Sequence, residues 1–208
     1  LELKLKSSKG LNPLRRKRFS LYVEIRDYPG EWLLDLPLRD MSYARWCSQC
    51  NAQYQLAPRA ELLGEFAAEL TAIDPLAACD EALLEMLHQH FVDFLQRCKT
   101  AENPLSLIQP GRFLIPELGQ DAKAFCFIPL LNAAMYSEEQ LKAADKNSFF
   151  KVCEARYAAY IKQLVEPFYK HFFSRIDRQI VLVDVVNALN GGPAYLSDMR
   201  QALSNIMD

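Results

Sequence analysis

Arg18-Phe-Ser-Leu-Tyr-Val-Glu-Ile25 runs through Arg26 straight into Asp27-Tyr-Pro-Gly30 and then Glu31-Trp-Leu-Leu-Asp-Leu-Pro37. The first eight residues mix β-branched and aromatic side chains with polar ones, which predicts a strand. Leu1-Glu-Leu-Lys-Leu-Lys6 alternates apolar and charged residues in the same way. Residues 1–26 are therefore expected to form a long antiparallel hairpin across a polar connection, 7–17, that contains Gly10 and Pro13. The D-x-x-G that follows stands at the carboxyl end of the second strand, where ligands of open α/β sheets sit. An Asp in that place can hold a magnesium ion, usually through water, because the ion prefers a few hard oxygens and keeps part of its hydration shell. A Gly there lets its backbone N–H come close to a terminal phosphate. On these four residues alone the competing reading is an ordinary turn, since Asp and Pro-Gly are common turn formers.

Working outward, residues from about Leu38 to Phe173 read as mostly helical. Helices are expected over 40–53, 59–72 and 75–99, the last started by Asp74-Pro75. Residues 100–136 are broken by Pro104, Pro110, Pro116 and Pro129, and Ser137-Glu-Glu-Gln140 is a capping box for the next helix. A longer helical stretch, 146–173, carries Phe149, Phe150, Tyr157, Tyr160, Ile161, Leu164 and Phe168 at helical spacing, with Pro167 expected to kink it. Such a stripe reads as a core face rather than a cofactor box. Arg178-Gln-Ile-Val-Leu-Val-Asp-Val-Val186 differs: it is a continuous apolar run suited to a strand buried on both faces of a parallel sheet. A turn at 187–192 and a closing helix from Tyr195 or Ser197 to Met207 complete one strand–loop–helix unit of a doubly wound fold.

The whole sequence is 208 residues with a formal net charge of -2, which gives no bulk attraction to nucleic acid or to an anionic membrane. No uninterrupted 18-residue apolar run is present, so no membrane-spanning helix is expected. No secretory leader precedes the first strand, and a cytoplasmic location is the default expectation. The chain starts at Leu1 rather than Met and stops at Asp208 inside a helical pattern, which reads as a piece of a longer protein. Cys47-Ser-Gln-Cys50 is the only C-x-x-C among six cysteines, and with no second pair at zinc spacing it reads as buried thiols before a metal or redox site. His88 and His90 are two apart and so lie on different faces of a helix. Arg15-Arg-Lys-Arg18 could meet a phosphate, but a solvated hairpin shoulder that protects an edge explains it more simply.

Asp27-Tyr-Pro-Gly-Glu-Trp-Leu-Leu-Asp-Leu-Pro37 strongly resembles the signature stretch of the YcjX-like family of bacterial P-loop NTPases. Ile108-Gln-Pro-Gly-Arg-Phe113, Ala144-Asp-Lys146, and Asp177 to Asp184 with Leu189-Asn190 and Gly192 agree with it in the family's order. The resemblance implies a cytoplasmic, stress-associated GTPase-like protein. It also implies a fold class: an incomplete α/β P-loop sheet, Ras-like in strand order, with a large all-helical insertion. Residues 1–37 would be the edge hairpin and switch segment, 38–174 the insertion, and 175–208 a core strand with its closing helix. None of the seven Gly opens a G-x-x-x-x-G-K-[ST] phosphate loop, and no N/T-K-x-D guanine-reading tetrad occurs. In the family the first precedes this region and the second follows it.

By the same resemblance, Asp27 is the carboxylate associated with Mg²⁺, Gly30 the contact to the γ-phosphate, and Glu31 stands where Ras-like enzymes place a water-orienting Gln. Asp184 ends the second strand, with a structural hydrogen bond to the turn at Asn187 or Gly191 favoured over catalysis. The parent is expected to use GTP, or ATP, with magnesium. The alternative is a non-enzymatic module whose helices receive a protein partner or a second copy. In the Ras-like order, the strand leading to the phosphate loop separates 22–26 from 180–185, which would leave about 10 Å between them, or that slot filled by another chain.

Overall fold

The computed structural model describes residues 1–6, 18–115 and 123–207. The expected connection 7–17, most of the basic run at 15–18, and Pro116 lie outside the described residues. Strands β1 (Glu2–Lys6) and β2 (Arg18–Tyr22) form the antiparallel hairpin, with Glu2 opposite Tyr22 and Lys6 opposite Arg18. Beyond it, Leu1 and Val23 exchange backbone hydrogen bonds of 2.8 Å. Among the described residues this is the whole of the sheet.

The chain then turns helical sooner than its apolar pattern suggested. Gly30 leads into one turn, α1 (Glu31–Leu34), followed by a 3₁₀ turn over Leu36–Asp40 with Pro37 in its first turn. Ser42 caps α2 (Tyr43–Tyr54) by accepting from the Arg45 amide at 3.3 Å. The expected helix 59–72 is two, α3 (Arg59–Leu63) and α4 (Phe66–Ala72), because Gly64 adopts φ +56°, which a helix cannot contain. The expected start at Asp74 also moves. Residues 75–79 pair their backbones with 147–150, and the helix begins at Asp80, whose carboxylate accepts from the amides of Ala82 and Leu83 at 2.9 and 3.1 Å. The sequence offered Asp74 as the cap, and the pairing of 75–79 with 147–150 moves the start to Asp80.

The resulting helix α5 (Glu81–Thr100) is the axis of the core. Leu84, Leu87, Phe91, Phe94, Leu95 and Cys98 are buried along it at three-and-four spacing. The described residues after α5, 101–115 and 123–136, are irregular, with 3₁₀ turns that include Gly111–Leu114 and Leu131–Met135. Ser137 and Gln140 form the expected capping box of α6 (Glu138–Ala143). Helix α7 (Phe149–Tyr160), a π-helical turn (Ile161–Val165) and α8 (Glu166–His171) follow without a break. The widened turn sits just before Pro167, which has no N–H to return to a carbonyl four residues back. The aromatic stripe is core, as its spacing predicts. Trp46 packs against Phe127 and Tyr157 at centroid distances of 5.5 and 5.6 Å, and Tyr157 Oη lies 3.1 Å from the carbonyls of both Leu38 and Met41.

The last segment departs from expectation. Residues 178–184 form no strand, and Val185–Gly191 is helix α9, capped by Asp184, which accepts from the Asn187 amide at 3.0 Å. A strand requires a ladder neighbour, and no described strand lies alongside. Ile180 and Leu182 are 88% and 91% exposed, so the apolar run finds no cover within the described chain. The observed architecture is thus mostly helical with a two-stranded ribbon, in place of the expected α/β sheet.

Helix α10 (Pro193–Met207) closes the fold. Its Asp198 is buried against Arg59, an ion pair, and accepts from the amides of Ser106 and Leu107 at 2.6 and 3.0 Å. Arg59 also donates to the Leu107 carbonyl at 2.5 Å. One buried carboxylate thereby ties α3, the 105–107 chain and α10 together. Asp198→Ala would leave a buried guanidinium and two amides without their acceptor. It is expected to lower the unfolding free energy of the chain by about 3–5 kcal/mol. Lys142→Ala, which breaks an exposed pair with Glu138, is expected to cost under about 0.5 kcal/mol. Denaturant titration of the two variants beside the wild type measures the contrast.

Candidate functional site

Asp27 is fully exposed at the end of the hairpin arm. Gly30, three residues on, has φ -60° and ψ -28°, an ordinary helical conformation open to any residue. A Cβ built on it meets no atom within 4 Å. Neither backbone geometry nor packing in this chain therefore calls for Gly at position 30. The open space beside it leaves its backbone approachable from outside.

Everything after Gly30 is held, and the segment 105–112 holds it. Gly111 lies so close to the Glu31 carbonyl that an added Cβ would sit 2.4 Å from the oxygen. Gln109 Nε2 donates to the Leu34 carbonyl. The Asp35 carboxylate, 0% exposed, accepts from the Gly111 amide at 2.7 Å, the Arg112 amide at 3.3 Å and the Tyr160 hydroxyl at 2.5 Å. The Arg112 guanidinium lies 4.5 Å from the centroid of the Trp32 ring, with its Nε 3.8 Å from Asp35. The sequence Gln109-Pro-Gly-Arg112 thus clamps Glu31 to Asp35 residue by residue.

The electrostatics follow from burial. Loss of water raises the Asp35 carboxyl to about 6, opposed by the Tyr160 hydroxyl, the Gly111 and Arg112 amides and the Arg112 charge. Burial lowers the Arg112 guanidinium, with Tyr160 and Asp35 acting the other way, and its Nε and Nη2 have no hydrogen-bond partner. Glu31 is only partly buried. Burial pushes its carboxyl up, but the hydrogen bond from Lys99, its own backbone N–H and the Lys99 charge together hold it below the ordinary carboxylate value.

A cavity of about 410 Å³ opens beside this segment. Gly30, Glu31, Lys99 and Ser106 line one side, and Val181 to Asp184 line the other. The structure therefore brings Gly30 and Glu31 together at one opening and leaves Asp27 on the exposed arm before it. Asp184 shares the opening, and its carboxylate serves the cap of α9. Cys47 and Cys50 are buried thiols, both pushed up by loss of water, Cys50 to about 12. His88 and His90 diverge as expected, to the Phe127 carbonyl at 2.9 Å and to Glu69 at 2.7 Å.

Spacing did not single out Asp35, Arg112, Tyr160 or Lys99. Asp35 and Arg112 stand inside the two stretches quoted above for the family resemblance. Lys99 looks like an ordinary cation in the last turn of a helix, where the dipole favours it.

The family model of the YcjX-like family, DUF463, matches residues 1–208. The chain is 38% identical over 208 residues to the "Ras-like GTPase YcjX" of Shewanella oneidensis and 39% identical over 207 residues to the protein of that name in Escherichia coli K12. All of this chain is covered in both, against 43% and 44% of those proteins. The chain spans less than half the length of the relatives it matches.

Two tests of the clamp follow from its geometry. Asp35 has its folded pKa raised from 3.8 to about 6, so the native state binds the extra proton between those values. Its contribution to stability is complete below about pH 4 and is lost as the pH rises through about 6, by at most about 3 kcal/mol. Thermal unfolding of wild type and Asp35→Asn from pH 4 to 8 should show the wild type gaining relative to the variant as the pH falls from 7 to 5. A difference that stays flat, or moves the other way, contradicts this. Gly111→Ala must push α1 away from 109–112 and is expected to cost about 1–3 kcal/mol in the same measurement.

Proposed function

The chain belongs to the YcjX-like family, and from that membership we propose that it is the switch-bearing part of a magnesium-dependent nucleotide hydrolase. GTP is the favoured substrate because both relatives carry the name Ras-like GTPase, with ATP the alternative. Residues 38–174 are then a helical insertion between the switch segment, 1–37, and the closing segment, 175–208. The parent works in the cytoplasm, a reading that rests on the family resemblance. The observation that carries the proposal is Gly30: a glycine that its own chain does not require, three residues after Asp27, at the mouth of the cavity.

In this reading water attacks the γ-phosphorus in line, the bond to the β–γ bridging oxygen breaks, and nucleoside diphosphate, phosphate and a proton leave. Such a reaction needs positioning and charge stabilisation more than covalent help. The exposed Asp27 carboxylate is a hard-oxygen donor of the kind that suits a hydrated Mg²⁺. That ion, when bound, would neutralise charge on the phosphates. The Gly30 backbone N–H donates to the terminal phosphate, and Glu31 faces the attacking water. The phosphate loop and the base-reading residues belong to the rest of the parent. The strand that carries the loop would then enter between 22–26 and 180–185 and cover Ile25, Ile180 and Leu182, which are exposed in this chain.

The test uses the full-length protein and measures nucleotide affinity and turnover separately. Asp27→Ala is expected to weaken both by at least about tenfold, since it removes a carboxylate from the metal shell. Glu31→Gln, the residue type of Ras-like enzymes, is expected to keep affinity and most of the turnover. Loss of turnover in Glu31→Gln with a normal Asp27→Ala would reverse the two roles. The 208-residue chain alone is expected to be inactive, because the lysine and amide nest of the phosphate loop lie outside it.

A further inference from the structure

Glu31 raises a physical difficulty that a glutamine in its place would not. A carboxylate facing the γ-phosphate repels it, and that repulsion opposes both closure of the switch and orientation of the attacking water. A cation on the carboxylate would remove it. The structure holds one there: Lys99, in the last turn of α5, pairs through Nζ with Glu31 Oε1. The two residues are 68 positions apart in sequence, so the contact depends on the helical body being docked against the switch segment.

Three features make this pair more than an exposed surface contact. Both side chains line the cavity that Gly30 opens into. The Glu31 side chain is only 22% exposed, so the ammonium acts in a partly dried environment where charge is screened less. The Glu31 backbone is pressed against Gly111, and its side chain is held by two donors, Lys99 and its own backbone N–H.

We propose that Lys99 is a positioning residue for nucleotide hydrolysis, supplied from the helical region, which cancels the charge of Glu31 and holds it toward the attacking water. The inference rests on the hydrolase reading above and adds to it a residue outside the nucleotide-binding segments. It also gives the helical region a direct part in turnover. Without α5 in place, Glu31 loses its counter-charge.

The experiment is steady-state and binding kinetics with GTP and ATP on the full-length protein, for Lys99→Ala, Lys99→Arg, Glu31→Gln and the Lys99→Ala/Glu31→Gln double variant. Lys99→Ala is expected to lower kcat about tenfold while nucleotide Kd stays within about twofold. Lys99→Arg is expected to restore most of that loss. In the Glu31→Gln background, which has no charge to cancel, Lys99→Ala is expected to cost nothing further. Thermal unfolding of each variant is measured alongside. A kcat unchanged by Lys99→Ala overturns the inference and leaves the hydrolase reading standing. So does an equal loss in both backgrounds, or a fall in kcat, affinity and melting temperature together that arginine does not rescue. A wild-type protein that neither binds nor hydrolyses either nucleotide overturns the hydrolase reading itself, and this inference with it.

Discussion

A carboxylate removed from water must be met by donors, and Asp35 is met on every side. It receives two consecutive amides from Gly111 and Arg112, a hydroxyl from Tyr160, and the nearby charge of Arg112. These donors come from two separate parts of the chain, the segment before Leu114 and the last turn of α7. Because a buried acceptor left unmatched is costly, the three parts are held in one arrangement. Trp32 and Leu34 are fixed by the same neighbours, so the rigid part of the switch segment is continuous with the helical core.

The clamp reaches back no further than Glu31, although Tyr28 before it packs edge-on against Phe168 at 5.5 Å. The clamp takes hold at the Glu31 carbonyl and runs to Asp35, whereas Asp27 is bare and Gly30 is open. The D-x-x-G segment thus joins the hairpin to the helical body, with Tyr28 against Phe168 and Arg26 over Phe172 among the contacts between them. A ligand that contacts Gly30 would push or pull on α1, and α1 cannot yield without disturbing 109–112 and Tyr160. Coupling between a bound phosphate and the helical body needs no separate wiring in such an arrangement; it is the same set of hydrogen bonds that stabilises the fold.

How far the fold could be read from sequence depended on whether the deciding contacts were local. The hairpin, the capping box at Ser137 and the aromatic stripe on α7 rest on periodicity and neighbouring residues, and they were legible. The start of α5 was not: Asp74 before Pro75 reads as the cap, and residues 147–150 pairing with 75–79 move the start to Asp80. The break at Gly64 was visible as a residue but not as a conformation. Of the candidate site, Asp27, Gly30 and Glu31 were legible as a motif, since all three lie within five residues. Asp35, Arg112 and Lys99 become a site only when distant segments meet, and nothing in their own spacing announces that.

The apolar run 180–186 shows where a sequence pattern and the chain's own contacts disagree. Its composition suits a strand covered on both faces, yet among the described residues it has no ladder partner and Leu182 is almost wholly bare. Exposed β-branched and leucine side chains in an unbroken row cost hydrophobic free energy and invite association. Ile25 is bare as well at 84%. On the hydrolase reading proposed above, a strand of the parent entering between 22–26 and 180–185 would cover both rows. That strand would gain ladder bonds on both edges and bury both rows. It would also end beside Gly30, where the incoming backbone and the open glycine together could surround a phosphate. On that reading the same hydrophobic term that completes the sheet would bring the phosphate-binding backbone to the switch.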